Sequence, residues 1–439
     1  MKYHLITFGC QMNHSDAERV ATILQGLGFL PTENRAAADF ILITTCSVRQ
    51  TAEDRVYGLL RELNKLKKKN PRLLIGVTGC MAGRDTDGKI KRRLRGVDLF
   101  FPTSDMIRLP EMLAEKWLDV QFNFSCDDDY LLIKPQYHLK HKAFVTIQTG
   151  CNKFCSYCVV PYARGREKNR LAADVLTEIK SLAANGCLEV TLLGQAVNTY
   201  RAADPESFSA ANPYKDHFAA LLWEIDKILG IKRIHYTAPY PNHMTDEVID
   251  ALTLPAQVNF LHLPVQSGDN EILRRMNRRY TSEEYLEIVK KIKTCCPNIA
   301  LGTDIIVGFC GETEEQFERT LDLYRQCDFD ISYHAQYSSR SGTLAAKAFK
   351  DDVTKEEKER RWRKIQTLME ESTLRKNQKF AGQTVEVLVD RCDEKGKCWG
   401  NTREMKVACF SGSSDLIGTI VKMKVERPDV WALFGSKAE

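Results

Sequence analysis

Gly150-Cys151-Asn152-Lys153-Phe154-Cys155-Ser156-Tyr157-Cys158 carries three cysteines at C-x3-C-x2-C spacing, in the loop after the apolar run Ala143–Ile147. Thiolates this close in one loop can all face one metal centre. On a [4Fe–4S] cube, three thiolates leave one of the four irons without a protein ligand, and that iron can chelate a small molecule. Structural zinc wants four ligands, and no fourth Cys or His lies in this loop; a ligand from elsewhere in the chain would complete such a site.

Composition narrows the setting. A chain of 439 residues suggests two to four domains, and 43% hydrophobic residues support ordinary globular cores. Met1–Gly9 reads as the start of a strand and not as a signal peptide. No apolar run approaches the roughly 18 residues that span a membrane. A cytoplasmic protein with no membrane partner is expected. In that reducing setting fifteen cysteines point to metal or redox chemistry for some of them and not to a disulfide framework. The formal charge of +5 permits nucleic acid binding, but only local basic patches can argue for it.

N-terminal to the loop, one pattern recurs three times: a short apolar run ends in a cysteine. The runs are Tyr3–Phe8 before Cys10, Phe40–Ile43 before Cys46 and Leu73–Val77 before Cys80, with a further run at Val97–Phe101. Helices are expected at Ser15–Leu27, Thr51–Leu66 and Pro110–Trp117; Ala17, Val20, Ala21, Leu24 and Leu27 form a 3.6-residue stripe. Strands alternating with helices imply a parallel sheet covered on both faces, whose carboxyl edge binds ligands. A lone cysteine there is usually a small buried residue. Three at equivalent strand ends argue for a second iron–sulfur cluster, again with an open iron. The basic runs Lys65–Arg72 and Lys89–Arg95 are either phosphate contacts or solvated faces. Acidic Asp127-Asp128-Asp129, after Phe122–Cys126, marks a linker.

C-terminal to the loop the repeat lengthens. Strands are expected at Phe144–Gln148, Glu189–Leu193, Arg233–Thr237, Val258–Leu263, Leu301–Val307 and Ile331–Gln336. Helices are expected at Asp174–Asn185, Phe218–Leu229, Asp246–Leu252, Ser282–Cys295 and Glu314–Cys327, with Thr281–Glu284 as a capping box. Six strand–helix units suit a partial (β/α)6 barrel with its site at the carboxyl ends of the strands. Lys355–Lys379 reads as a long helix with Trp362, Ile365, Leu368 and Met369 on one stripe, packed on the barrel's open side. Val385–Val389, Val407–Phe410 and Ile417–Lys424 then suggest a small all-β module.

The cysteine loop, with Tyr157 before its last cysteine, resembles that of radical SAM enzymes. The resemblance implies that S-adenosylmethionine binds the open iron and that its reductive cleavage yields a 5′-deoxyadenosyl radical. Phe8-Gly9-Cys10-Gln11-Met12-Asn13, Thr45-Cys46-Ser47-Val48-Arg49 and Gly79-Cys80-Met81 resemble the three cysteine motifs of the methylthiotransferases. Members that modify a ribosomal protein usually carry Gly-Cys-Pro-Lys-Asn, and those acting on threonylcarbamoyladenosine Gly-Cys-Lys-Val-Asn. Gly-Cys-Gln-Met-Asn is similar to members acting on isopentenyladenosine in tRNA. Gly382–Val389 resembles the start of a TRAM domain, an RNA-binding β-barrel. The resemblance runs from Lys2 to about Leu433.

The resemblance implies an α/β chain in three parts: an N-terminal parallel-sheet α/β domain at 1–120, a partial (β/α)6 radical SAM barrel at 137–370 and a small TRAM-like β-barrel at 372–439. The implied cofactors are two [4Fe–4S] clusters, on Cys10, Cys46 and Cys80 and on Cys151, Cys155 and Cys158, with S-adenosylmethionine as methyl donor and radical source. Gln195, in Leu193-Gly194-Gln195, and Gln266 and Ser267, in His262–Gly268, resemble residues lining that cofactor; ordinary loop hydrogen bonding is the alternative. Asp304–Glu312 resembles a segment lying along adenine. His262, inside an apolar run, reads as a packed residue. Arg164 and Arg166 suit either an anionic ligand or acidic neighbours. No acid or base is assigned, because the cofactors carry the chemistry.

The implied activity is transfer of a methylthio group to C2 of N6-isopentenyladenosine, 3′-adjacent to the tRNA anticodon. Another modified tRNA adenosine or a ribosomal protein is the alternative substrate. Partners are that tRNA and a reducing electron donor of the flavodoxin or ferredoxin type, with the chain acting as a monomer. Lys376, Lys379, Arg391, Lys395, Lys397, Arg403 and Lys406 are expected to contact phosphates, and Trp399 to stack on bases. Departures from the family pattern are Ala196, Cys310, Thr237–Asn242 and a lengthened loop at Arg201–Asp216. The other nine cysteines read as structural.

Overall fold

Period-two alternation in the strand Phe40–Thr45 sends Phe40 and Leu42 into one apolar cluster and Ile41 and Ile43 into another. A strand apolar on both sides must be covered on both sides. The helix Gln11–Gly26 covers one face with Val20, Ala21, Ile23 and Leu24, and Gln50–Lys69 covers the other with Val56, Leu59, Leu60 and Leu63. The sheet is parallel, in the order Leu30–Pro31, Lys2–Phe8, Phe40–Thr45, Leu74–Gly79, Leu99–Phe100. The computed structural model describes residues 1–47, 50–118, 120 and 129–438. Asp127 and Asp128 of the acidic linker, the preceding residues 122–126, and Val48 and Arg49 of the second cysteine motif lie outside the described residues.

The second layer holds six parallel strands in two sheets. Lys142–Thr146, Glu189–Leu193 and Arg233–Tyr236 form one; Phe260–His262, Ala300–Val307 and Ile331–Gln336 form the other. A parallel bridge between Ile234 and Gln257 joins them. Helices Ala172–Ala184, His217–Asp226, Asp246–Asp250, Ser282–Cys295 and Glu314–Cys327 lie between the strands, and the capping box at Thr281 and Glu284 is formed. The lengthened loop closes the free amino end of the helix Ala172–Ala184, where Asp204 accepts from the backbone N–H groups of Ala172 and Ala173 at 2.7 and 2.9 Å.

The long helix Lys355–Gln378 packs along the last strand, Ile331–Gln336. Ile365 and Met369 are buried, and Trp362 donates to the His334 carbonyl at 3.1 Å. The tail is a closed barrel of five strands, Thr384–Cys392, Lys397–Asn401, Val407–Ser411, Leu433–Lys437 and Ile420–Pro428 in spatial order. Three of these were legible. Lys397–Asn401 and Leu433–Lys437 hide behind Gly, Lys, Asn and Ser, which disfavour strands except where pairing imposes them. Register sets Cys392 opposite Cys398 and the two form a disulfide, a single link between neighbouring strands and not a disulfide framework.

The tail barrel docks on the amino ends of the central strands, opposite the cysteine loop. Arg233, at the start of its strand, donates to the carbonyls of Asn401 and Glu386 at 2.7 and 3.1 Å. Arg403 reaches Pro255 and Gln257 carbonyls, and Lys406 and Lys376 pair with Asp330. These three cations therefore hold domains together, which corrects the expectation that they are phosphate contacts.

The first domain meets the barrel through the helix Gln11–Gly26. Ser15 and Thr146 share a 3.0 Å hydrogen bond, and Glu18 accepts from the His138 backbone at 3.3 Å. Burial pushes the Glu18 carboxyl up to about 7, aided by Glu178 and opposed by the His138 N–H and Arg19. The folded chain thus keeps a proton that the unfolded carboxyl has released, so stability falls as pH rises from about 4.5 to about 7. Glu18→Gln is expected to flatten that fall and to exceed the parent in urea midpoint at pH 8; parallel profiles from pH 5 to pH 8 would refute it.

Candidate functional site

Register brings the first three cysteines together. Phe8 pairs with Thr45 and Thr45 with Gly79, so Cys10, Cys46 and Cys80 leave one carboxyl edge. Gly79 has φ +97°, and a Cβ there would lie 2.5 Å from the Thr45 carbonyl oxygen, so the turn into Cys80 needs glycine. Cys10 caps the helix Gln11–Gly26, where Asn13, fully buried, sits against its thiol at 3.5 Å. A hydrogen bond from Cys46 holds the Cys10 thiol down at about 6, with help from Arg164 and the helix's first N–H groups. Burial pushes Cys80 up, against the pull of Arg164.

The second triplet follows the first barrel strand. Gly150 has φ +72°, and a Cβ there would meet the Arg166 carbonyl at 2.1 Å. Backbone N–H groups of Lys153 and Val160 point at Cys151 and Cys158 sulfurs, at 3.5 and 3.4 Å. Burial pushes Cys151 up to about 11 and Cys158 higher still. Left-handed backbone at Phe154, Gln266 and Asn277 gathers around this face, where stored strain commonly marks a working site.

The two triplets adjoin. The short helix Cys80–Gly83 packs on Val160–Arg164, so closely that a Cβ on Gly83 would meet the Ala163 carbonyl at 2.1 Å. Arg164 crosses the junction: its Nη2 lies 2.5 Å from the Asp16 carboxylate and its Nε donates to the Cys80 sulfur at 3.3 Å. Asp16 also accepts from the Tyr130 hydroxyl at 2.6 Å. Arg164 is thus the residue that takes an acidic neighbour, and its side chain is 1% exposed.

All six thiols are free of disulfides. Among the described residues no three His, Cys, Asp or Glu side chains converge on one point as a mononuclear metal requires. A four-iron cube takes each thiolate on a different iron and needs no such convergence. Free thiols in two triplets, with N–H donors and cations aimed at sulfur, fit two clusters better than zinc.

The other expected contacts fare unequally. Gln195 is half-buried at the second strand's carboxyl end and makes no hydrogen bond among the described residues. Gln266 pairs by its backbone with Asp304 and Ile306, at the strand-end face. Ser267 is fully buried, its hydroxyl within reach of Thr320 and accepting from the Asp269 N–H, so it shapes the turn and does not line the open face. Glu312 is held by Arg361 and the Gly308 N–H at 2.8 and 2.6 Å. His262 sits 3.3 Å from Asp304.

Sequence reasoning missed the segment Met276–Tyr280. Asn277 donates to the Phe154 carbonyl at 2.9 Å, Ser156 N–H to Met276 at 2.9 Å, and Arg278 approaches the Cys155 sulfur at 3.6 Å. Its signal was the basic and aromatic run Arg274–Tyr280. In the tail barrel Trp399 lies under Arg391, 5.3 Å from its ring centre, whereas Trp431 is 58% exposed.

All three parts of the chain resemble known protein families. Family profiles match residues 2–102 (uncharacterized protein family UPF0004), 145–324 (radical SAM superfamily) and 378–437 (TRAM domain). A tRNA-2-methylthio-N(6)-dimethylallyladenosine synthase from Carboxydothermus hydrogenoformans is 42% identical, over 99% of this chain and 98% of its own. The protein of that name from Geobacillus thermodenitrificans is also 42% identical, over 100% of this chain and 83% of its own. Among solved structures, the radical S-adenosylmethionine methyltransferase TsrM from Kitasatospora setae, with cobalamin and a [4Fe-4S] cluster bound, superposes with a TM-score of 0.54 at 14% identity, over 79% of this chain and 74% of that one. At that identity the likeness is one of fold.

Asp16→Asn is expected to leave a buried guanidinium without its counter-ion and to destabilise the iron-free chain by about 3 kcal/mol. Tyr130→Phe, which loses one hydrogen bond, is expected to cost about 1 kcal/mol. Urea midpoints that rank the two variants the other way would contradict this junction.

Proposed function

This chain belongs to the family of tRNA-2-methylthio-N(6)-dimethylallyladenosine synthases within the radical SAM superfamily, and from that premise we propose that it adds a methylthio group to C2 of N6-isopentenyladenosine beside the tRNA anticodon. The observation that carries the proposal is the pair of adjoining thiol triplets, brought together where the helix Cys80–Gly83 packs on Val160–Arg164. The target carbon bears an unactivated C–H bond, on which acid–base chemistry has no handle. Two [4Fe–4S] clusters and S-adenosylmethionine, when bound, supply the one-electron and methyl-transfer chemistry.

The chain's own residues hold, orient and shield. Cys151, Cys155 and Cys158 would hold the cluster at the barrel's strand-end face, and Cys10, Cys46 and Cys80 the second. Gln195 and Gln266 would contact S-adenosylmethionine, with Ser267 fixing the turn behind them. The target base has to leave its stack to reach both centres. The tail barrel docks at the opposite end of the central strands, so it supplies affinity away from the chemistry, through Trp431 and the exposed Lys379, Lys395 and Lys397. Exposed Arg279 and half-buried Lys153, beside the cysteine loop, suit an acidic flavodoxin- or ferredoxin-type reductant. The working form proposed is a cytoplasmic monomer; among the described residues no helix is long and apolar enough to cross a membrane.

Anaerobic reconstitution is expected to give about eight irons per chain, the content of two four-iron clusters. Cys155→Ala is expected to form neither 5′-deoxyadenosine nor modified tRNA. Cys46→Ala is expected to cleave S-adenosylmethionine but to make no methylthio nucleoside by mass spectrometry. Methylthio product from Cys46→Ala, or cofactor cleavage by Cys155→Ala, would overturn the division of labour. Trp431→Ala is expected to weaken tRNA binding about tenfold while S-adenosylmethionine cleavage persists; unchanged tRNA affinity would remove Trp431 from the interface.

A further inference from the structure

A buried arginine touches a sulfur in each triplet, and the surroundings of the two differ. Arg164, beside Cys80, is neutralised by Asp16. Arg278, beside Cys155, has no carboxylate. Its Nε donates to the Tyr280 hydroxyl at 2.7 Å, its Nη2 to the Pro264 carbonyl at 2.8 Å, and its Nη1 points at the Cys155 sulfur 3.6 Å away. The rings of Tyr240 and Tyr280 lie against it, with centroids 4.5 and 5.0 Å from Cζ. Among the described residues no acidic side chain pairs with it.

A buried cation with only a carbonyl, a hydroxyl and two ring faces is incompletely compensated. The negative charge it lacks lies in one direction, toward the thiolates of the cysteine loop. The surrounding chain keeps it there. Asn277 and Met276 clamp the same segment to Phe154 and Ser156, and the left-handed backbone at Asn277, φ 55°, turns Arg278 back toward Cys155.

We propose that Arg278 is a positioning residue for the cluster on Cys151, Cys155 and Cys158, its uncompensated charge balancing the anionic cluster and raising its reduction potential. This rests on the reading of that loop as a cluster site. Positive charge and N–H donors near cluster sulfur favour the reduced, more negative state. At the barrel triplet the cation that touches sulfur has no carboxylate of its own, whereas the one that touches Cys80 is paired with Asp16.

The test is a redox titration of the full-length chain carrying both clusters, following the electron paramagnetic resonance signal that S-adenosylmethionine perturbs. Arg278→Gln is expected to lower the equilibrium constant for one-electron reduction at least tenfold, a 59 mV fall in midpoint potential. Arg278→Lys, which keeps the charge and loses the fork, is expected to stay within tenfold of the parent. A fall of less than tenfold in Arg278→Gln at full iron content overturns the proposal, and so do equal falls in both variants. If Arg278→Gln retains no iron, Arg278→Lys decides: iron loading with a parent-like potential supports the charge role, and failure to load overturns it. A parent chain with full iron but no signal responsive to S-adenosylmethionine overturns the cluster reading itself, and this assignment with it.

Discussion

The ion pair between Arg164 and Asp16 is the contact on which the two-centre arrangement depends. It joins the helix that begins at Cys10 to the segment that follows Cys158, and it ends on the sulfur of Cys80. Buried pairs of this kind add little net stability but fix geometry, since neither charge tolerates losing the other. Here the geometry fixed is that of two cysteine triplets on two separate sheets. Each sheet alone presents thiols at its own carboxyl edge, and the Arg164 crossing makes the two edges neighbours.

That coupling explains features which look local in isolation. Gly83 is small because Ala163 occupies the space a side chain would take. Met12, next to the Asn13 that holds Cys10, is buried against Thr146 at the head of the barrel. The Gln11-Met12-Asn13 triplet therefore both orients a thiol and seats one domain on the other. At the far end Arg233, Arg403 and Lys406 fasten the tail barrel to the amino ends of the same strands. The molecule is a stack in which chemistry occupies one end of the central strands and the tail module the other.

Much of this was legible in the sequence, for a physical reason. Strand-terminal cysteines and a three-cysteine loop are local patterns, and the parallel sheets arise from apolar runs alternating with amphipathic stripes. The helices Ser282–Cys295 and Glu314–Cys327 begin at capping boxes, which are also local signals. What escaped depends on distant partners. Arg164 read equally well as a ligand or an ion-pair residue until Asp16, far upstream, stood beside it. Arg278 lies far downstream of Cys155 and only folding brings them together. Lys397–Asn401 and Leu433–Lys437 become strands because the barrel closes on them, against their composition. Lys376, Arg403 and Lys406 look like free cations in the sequence and prove to be interdomain pins. Trp399 and Trp431 are indistinguishable by residue type, and only packing exposes the second.

Two iron–sulfur centres, held by adjoining cysteine triplets, are the central claim. Iron-edge anomalous diffraction from an anaerobically reconstituted crystal tests it most directly. Two compact iron peaks are expected, one bounded by Cys10, Cys46 and Cys80 with the Arg164 side chain beside Cys80, and the other by Cys151, Cys155 and Cys158. A single peak, or iron bound by any other set of cysteines, would contradict it.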